Sequence, residues 1–245
     1  MEGFVKLPPP PPEYVEVRWI ADTLVGLMGA GWIINYVAMI WHSYQGKTYS
    51  MAILPLCCNI AWELAYTLVY PSVNPVELFV FAAGALLNVF IMVAATRAAK
   101  TEWAHSPIVA DHTALILSIT TLVCFLGHVC LAQEIGPGLA YNWGAVICQL
   151  TLSGGGLCQL LQRNSTRGTS WSLWSSRFVG SCCTVGFAYL RWKYWPEAFG
   201  WLSRPLVLWS LGTFVLLDTT YGICLYAVSW NEAAAASEQK RQKKM

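Results

Sequence analysis

What most constrains this chain is an alternation repeated seven times: stretches of about 20 mostly apolar residues, separated by short polar segments. A helix of that length spans roughly 30 Å of hydrocarbon. The stretches fall near residues 19–41, 51–70, 76–97, 112–133, 139–162, 172–195 and 205–228. Pro71 and Pro75, His105-Ser-Pro107, Gly136-Pro-Gly138, Asn164 to Ser170, and Pro196 with Pro205 divide them with turn-forming chemistry. Of the 245 residues, 56% are hydrophobic and 11% are charged, against roughly 25% charged in a soluble domain. The expected fold is all-α, an integral membrane bundle of seven transmembrane helices, with no room for a separate soluble domain. Residues 1–18 read as a proline-rich leader containing the stiff run Pro8 to Pro12. Residues 19–228 read as the transmembrane domain, and 229–245 as a basic tail. The leader lacks the basic start and small-residue cleavage site of a removable signal, so the first helix reads as an uncleaved signal anchor.

Basic residues near helix ends stay on the cytosolic side. With the N-terminus luminal, the inner segments hold Lys47, Arg97, Lys100, Arg163, Arg167, Arg177, Lys240, Arg241, Lys243 and Lys244. The outer ones hold Lys6, Arg18, Arg191, Lys193 and Arg204. Ten against five gives a luminal N-terminus and a cytosolic C-terminus, and the expected location is the endoplasmic reticulum membrane. The only glycosylation acceptor, Asn164-Ser165-Thr166, then faces the cytosol. No basic face accompanies the tail, so nucleic acid is not an expected partner. Most of the nine cysteines lie inside apolar stretches and read as packing residues. No Cys/His group has zinc-site spacing along the chain, and no metal ligand set is expected.

Two carboxylates break the apolar stretches near their centres: Glu63 in the second and Asp218 in the seventh. An acidic residue there costs roughly 2.5–3.5 kcal/mol on insertion, which argues for a functional reason to keep it. Desolvation favours the neutral form of a carboxyl group, a neutral carboxylic acid is a proton donor, and two acids close together act as a pair. At helical spacing, Asn59 and Tyr66 flank Glu63, and Phe214, Tyr221 and Gly222 flank Asp218. Asn35, Tyr36, Trp62 and Trp209 also fall well inside, and with these neighbours they make the expected substrate-binding wall; aromatic faces stabilise cations without trapping them. Asn88, Gln149 and Gln159 either line that cavity or tie helices together, and His128 reads first as a packing residue. Arg177 reads as reaching for headgroups at a membrane face, and Asp22 and Glu77 as acids at helix starts. The chain has no Asp-rich run for a magnesium diphosphate, no Gly-x-x-x-x-Gly-Lys loop, no Gly-x-Ser-x-Gly elbow and no His-Glu-x-x-His. The seventh stretch has no lysine for a retinal Schiff base, which excludes a light-driven pump.

The blocks Trp32-Ile-Ile-Asn-Tyr36, Tyr49-Ser-Met51, Cys57-Cys-Asn-Ile-Ala-Trp-Glu63, Glu134-Ile-Gly-Pro137, Trp143-Gly144, Gln159-Leu160 and Asp218-Thr-Thr-Tyr-Gly222 resemble the fungal heptahelical membrane terpene cyclases of meroterpenoid and indole-diterpene pathways. Ser175 to Gly186 is similar to the indole-diterpene branch. The resemblance implies that Glu63 and Asp218 are the catalytic acids, that no metal or other cofactor is used, and that the substrate is an epoxidised prenyl chain on an aromatic head, an epoxygeranylgeranyl indole. It also implies a flavin epoxidase and a prenyltransferase of the same pathway as partners. Three other readings stay open: a cyclase of epoxyfarnesyl polyketides, a small proton-coupled transporter, and a membrane scaffold for pathway enzymes.

Overall fold

The structure, a computed structural model, describes residues 3–243, and helix is the only regular element among them. The helices are α1 (Pro12–Gly46), α2 (Ile53–Leu64), α3 (Pro75–Glu102), α4 (Pro107–Ile135), α5 (Pro137–Arg163), α6 (Trp171–Tyr194), the single turn α7 (Pro196–Phe199) and α8 (Pro205–Gln242). A π-helical turn, Ala65–Val69, continues α2, and a 3-10 turn, Gly200–Ser203, follows α7. Local chemistry explains the starts. Five of the long helices open on proline, whose fixed φ suits the first turn and whose missing N–H is not needed there. Side-chain caps add to this: Ser170 accepts from Leu173 N–H before α6, and Asn74 from Val76 N–H before α3.

All seven apolar stretches are helical. Of the resulting helices, α1, α3, α4, α5 and α8 are long and apolar enough to cross a membrane. Ile53–Val69 is a shorter apolar helix. α6 is long enough but more polar, because Ser172, Ser175, Ser176, Arg177, Ser181 and Thr184 lie along it. Length and apolarity therefore establish an all-α membrane bundle without fixing the crossing count at seven. α1 begins at Pro12 rather than near residue 19, and α8 runs on to Gln242 rather than ending near 228. Proline sets the first end, and the run Ala233 to Ala236, a strong helix former, carries the second through the tail. Asp22 consequently sits inside α1, 3.6 Å from Arg18, instead of at a helix start. Glu77 does lie in the first turn of α3. Lys244 falls outside the described residues.

α1 lies along α6, α2 sits among α3, α4 and α5, and α8 rests on α5 and, less extensively, on α6. Small residues permit the closest approach: a Cβ on Gly31 would stand 2.8 Å from the Ser176 carbonyl oxygen and 3.2 Å from Gly180 Cα. Large apolar side chains such as Phe79, Ile108, Leu122, Leu216 and Ile223 point outward, as a lipid-facing surface requires. The leader is part of the fold. Pro11 has the extended backbone of a polyproline segment, while Phe4 packs on Tyr66 and Tyr141 and Gly3 O accepts from Val73 N–H. At the opposite end, Glu102 closes α3 against its neighbours by binding Arg163 at 2.8 Å, Arg167 at 2.6 Å and Thr48 at 2.7 Å.

Candidate active site

Glu63 is buried on α2 inside a cage of neutral donors. Tyr36 of α1 donates its hydroxyl to Oε1 at 3.0 Å, Asn59 donates to the same oxygen at 3.4 Å, and Asn88 of α3 donates to Oε2 at 2.7 Å. Asn59 also donates to the Tyr36 oxygen. Three helices thus converge on one carboxyl group. Gly84 makes the convergence possible, because a Cβ there would lie 2.6 Å from Oε1 and 3.0 Å from the carboxyl carbon. The π-helical turn follows immediately, and such wide turns are frequent at functional sites. Asn59 lies beside Glu63 as helical spacing predicts; Tyr36, expected only well inside its helix, is a direct partner, whereas Tyr66, also expected to flank Glu63, donates to Pro137 O instead. Asn88, left between two roles by the sequence, is a direct partner, and Gly84 was missed.

Asp218 is fully buried on α8 and has a different partner. Arg177 Nη2 of α6 donates to Oδ1 at 2.8 Å, a salt bridge whose two side chains are 6% and 0% exposed. Arg177 does not reach for headgroups as its sequence position suggested. It lies on the buried stripe of α6 with Leu173, Gly180 and Ser181, and its guanidinium stands 5.1 Å from the centre of the Tyr221 ring. Phe214 and Tyr221 are buried on the face that carries Asp218, and the Tyr221 hydroxyl pairs with Thr169 at 2.6 Å. Gly222 lets Trp174 lie against α8, where its indole N–H donates to the Asp218 carbonyl oxygen at 2.8 Å. Asp218 Oδ2 and Arg177 Nε have no hydrogen-bond partner. The two acids do not form the direct pair expected. No hydrogen bond or ion pair joins them among the described residues, because α2 is seated against α3, α4 and α5 while α8 is seated against α5 and α6.

The other expected wall residues divide. Trp62 and Tyr66 join Phe4, Phe81 and Tyr141 in an aromatic cluster beside Glu63, with ring centres 4.6–6.3 Å apart. The cluster is anchored by Trp62 donating to Tyr141 O at 3.1 Å and Tyr66 to Pro137 O at 3.0 Å. Asn35 is buried, but it donates to Leu173 O at 2.7 Å and so ties α1 to α6, away from Glu63. Trp209 does not join any wall. It is 60% exposed, because the buried stripe of α8 runs through Val207, Ser210, Phe214, Asp218 and Tyr221 and position 209 falls off it.

Two spaces lie beside the neighbours of Asp218. One is a small, partly open cavity of about 20 Å3, lined by Arg177, Tyr221, Gln159, Gly156 and Thr169 among others. The second is an open groove of about 340 Å3 on the outer face, walled by Trp171, Trp174, Thr219, Gly222, Ile223 and Tyr226. The fold also assembles what spacing along the chain did not show, a buried group of Cys58, His128 and Cys148 from α2, α4 and α5.

The sequence of the chain matches the model of the Pyr4-like transmembrane terpene cyclases over residues 5–231. It is 69% identical to the terpene cyclase terB of Tolypocladium album over 98% of this chain and 99% of that one. It is 66% identical to the terpene cyclase idtB of Claviceps paspali, covering 96% and 98% of the two chains. It is 57% identical to the terpene cyclase paxB of Penicillium paxilli over 95% of each.

Proposed function

The chain belongs to the Pyr4-like transmembrane terpene cyclases, and from that premise we propose that it closes rings on an epoxidised prenyl indole of indole-diterpene biosynthesis, with Glu63 and Asp218 as its catalytic acids. The observation that carries the assignment of roles is the contrast between their partners. Glu63 is held by Tyr36, Asn59 and Asn88, all neutral, so it can give up and regain a proton without breaking an ion pair. Asp218 is held by Arg177. Glu63 is therefore the proton donor. Its proton goes to the epoxide oxygen, the carbon–oxygen bond breaks toward a tertiary cation, and neighbouring alkenes attack in turn. The final carbon–hydrogen bond gives up a proton, so the reaction is an isomerisation with no net oxidation. Asp218, oriented by Arg177, takes up that proton. The folded substrate loses its entropy on binding rather than in the transition state, and the rings of Phe214 and Tyr221 stabilise the moving charge.

A cavity of about 20 Å3 holds roughly one water molecule, so a prenylated aromatic enters that space beside Arg177 and Tyr221 only when helices part. The apolar groove between α6 and α8 gives the prenyl chain a lipid-side path, and Trp174 stands between that groove and Asp218. A seven-crossing bundle in the endoplasmic reticulum, with a luminal N-terminus, presents the groove to the bilayer into which such a substrate partitions. Catalysis uses no dissociable magnesium, and the epoxidase and prenyltransferase of the pathway supply the substrate.

The test is turnover of an epoxygeranylgeranyl indole by purified protein in detergent. Glu63→Gln and Asp218→Asn each should lose most of the rate, since positioned acid catalysis contributes roughly 10²–10⁴-fold. Rates are normalised to folded protein, because Asp218→Asn strands Arg177. If both variants kept more than about a tenth of the rate, the acids would lie elsewhere. Turnover should not require magnesium; loss in EDTA that magnesium restores would mean that the chemistry starts from a diphosphate.

A further inference from the structure

We infer that Cys58, His128 and Cys148 form a binding site for one zinc-class divalent ion, set inside the bundle and separate from the carboxyl groups. Three helices contribute one donor each, and all three residues are buried. Cys58 Sγ lies 3.6 Å from His128 Nε2 and 3.7 Å from Cys148 Sγ, and the three donor atoms lie within 4.8 Å of one another. Tetrahedral zinc with Zn–S bonds of roughly 2.3 Å places its donors about 3.5–3.8 Å apart, so the two separations from Cys58 already match and the third, within 4.8 Å, closes by at most about 1 Å. The imidazole is presented in the orientation this requires. Its Nε2 faces the sulfur atoms, while its Nδ1 faces α5 at Gly144, where a Cβ would lie 3.3 Å away.

The charge arithmetic selects the ion. On binding, the two thiols release their protons, and two thiolates with one neutral imidazole cancel a charge of +2. A net-neutral site is what an apolar membrane interior tolerates, whereas a monovalent copper ion would leave one negative charge uncompensated. Magnesium and calcium require oxygen ligands that the group does not offer. The ion would pin α2 to α4 and α5 about 7.5 Å along the helix axis from Glu63, five residues on. It would act there as a structural clamp for the helix that presents the acid and not as a Lewis acid on the substrate.

The experiment begins with the metal content of the full chain, purified in detergent and dialysed against zinc-free buffer. The expected result is about one zinc per chain, falling to background in Cys58→Ser and in Cys148→Ser but not in Cys182→Ser, whose thiol is exposed on α6. Wild-type protein holding less than about a tenth of an equivalent, together with failure to take up added zinc, would overturn the proposal and leave three packing residues joined by weak hydrogen bonds. Zinc that stays bound in both serine variants would place it elsewhere and overturn the proposal equally. Should the serine variants not be recovered, cobalt(II) added to stripped wild-type protein decides. A thiolate-to-cobalt charge-transfer band that zinc abolishes supports the site, and absence of the band sinks it. None of these readouts depends on turnover, so they stand apart from the assignment of the acids.

Discussion

Arg177 and Asp218 hold each other in a part of the molecule where neither charge is stable alone. Removing one partner of a buried pair costs about 3–5 kcal/mol, because the other is left uncompensated, whereas removing both charges costs much less. Arg177→Gln should therefore lower the thermal unfolding temperature in detergent more than Arg177→Gln combined with Asp218→Asn does, and the double variant should still be inactive. A double variant that melts as low as the single one would mean that shape and not charge makes the contact. The acids themselves were legible in the sequence because a carboxylate in an apolar stretch is conspicuous. Their partners were not. Asn59 could be read from its position one turn before Glu63, but Asn88 and Arg177 reach their acids across helix interfaces, and which helices adjoin is not written in the spacing of any one of them. Arg177 sits near the start of its own stretch, so its pairing with Asp218 shows only once α6 and α8 are placed together.

The approach of α2 to α3 depends on Gly84, where a Cβ would stand 2.6 Å from Glu63 Oε1. Gly84→Ala adds a methyl group at the worst place for the carboxyl while improving helix propensity by about 0.5–1 kcal/mol. The variant should fold and insert, yet lose roughly tenfold to hundredfold in kcat, since a misplacement of about 1 Å can cost that much. Unchanged kcat would show that α3 does not position the acid. Helix existence followed from apolar length, and the proline-marked breaks followed from backbone chemistry. Helix ends were harder: α1 and α8 run into segments read as leader and tail, because helix propensity continues after apolarity stops. Depth alone could not sort the aromatic residues of α8. Phe214 and Tyr221 lie on the buried stripe with Asp218, and Trp209 does not.

The two ends of the bundle carry different chemistry, and one contact bears directly on which end faces the cytosol. Asn164 caps α5 in the left-handed conformation, and the loop it begins is tied to α8 beyond the apolar stretch. Glu232 accepts from Ser165 Oγ at 2.7 Å, from Thr166 N–H at 2.9 Å and from the Thr166 hydroxyl at 2.5 Å. Burial opposes ionisation of Glu232, yet the hydrogen bonds from Thr166 and Ser165 outweigh it and hold the pKa below the ordinary carboxylate value. The tie is therefore complete at neutral pH and loosens only as pH falls through that lowered value. It places the acceptor Asn164-Ser165-Thr166 on the same side as the start of the tail, whatever the number of crossings between them. Arg163, Arg167 and the basic tail favour the cytosol for that side. Arg191, Lys193 and Arg204 then face the lumen, against the rule. Asn164 should carry no glycan when the chain is made in a eukaryotic host, as judged by endoglycosidase treatment and gel shift. Protection could also come from the Glu232 contact, so Glu232→Ala, which frees Thr166, is the decisive companion. If it too stays unmodified while an acceptor added before the leader on a spacer is glycosylated, the N-terminus is luminal and the tail cytosolic. A glycan on Asn164 in either protein would invert the topology and put the Glu102, Arg163 and Arg167 network in the lumen.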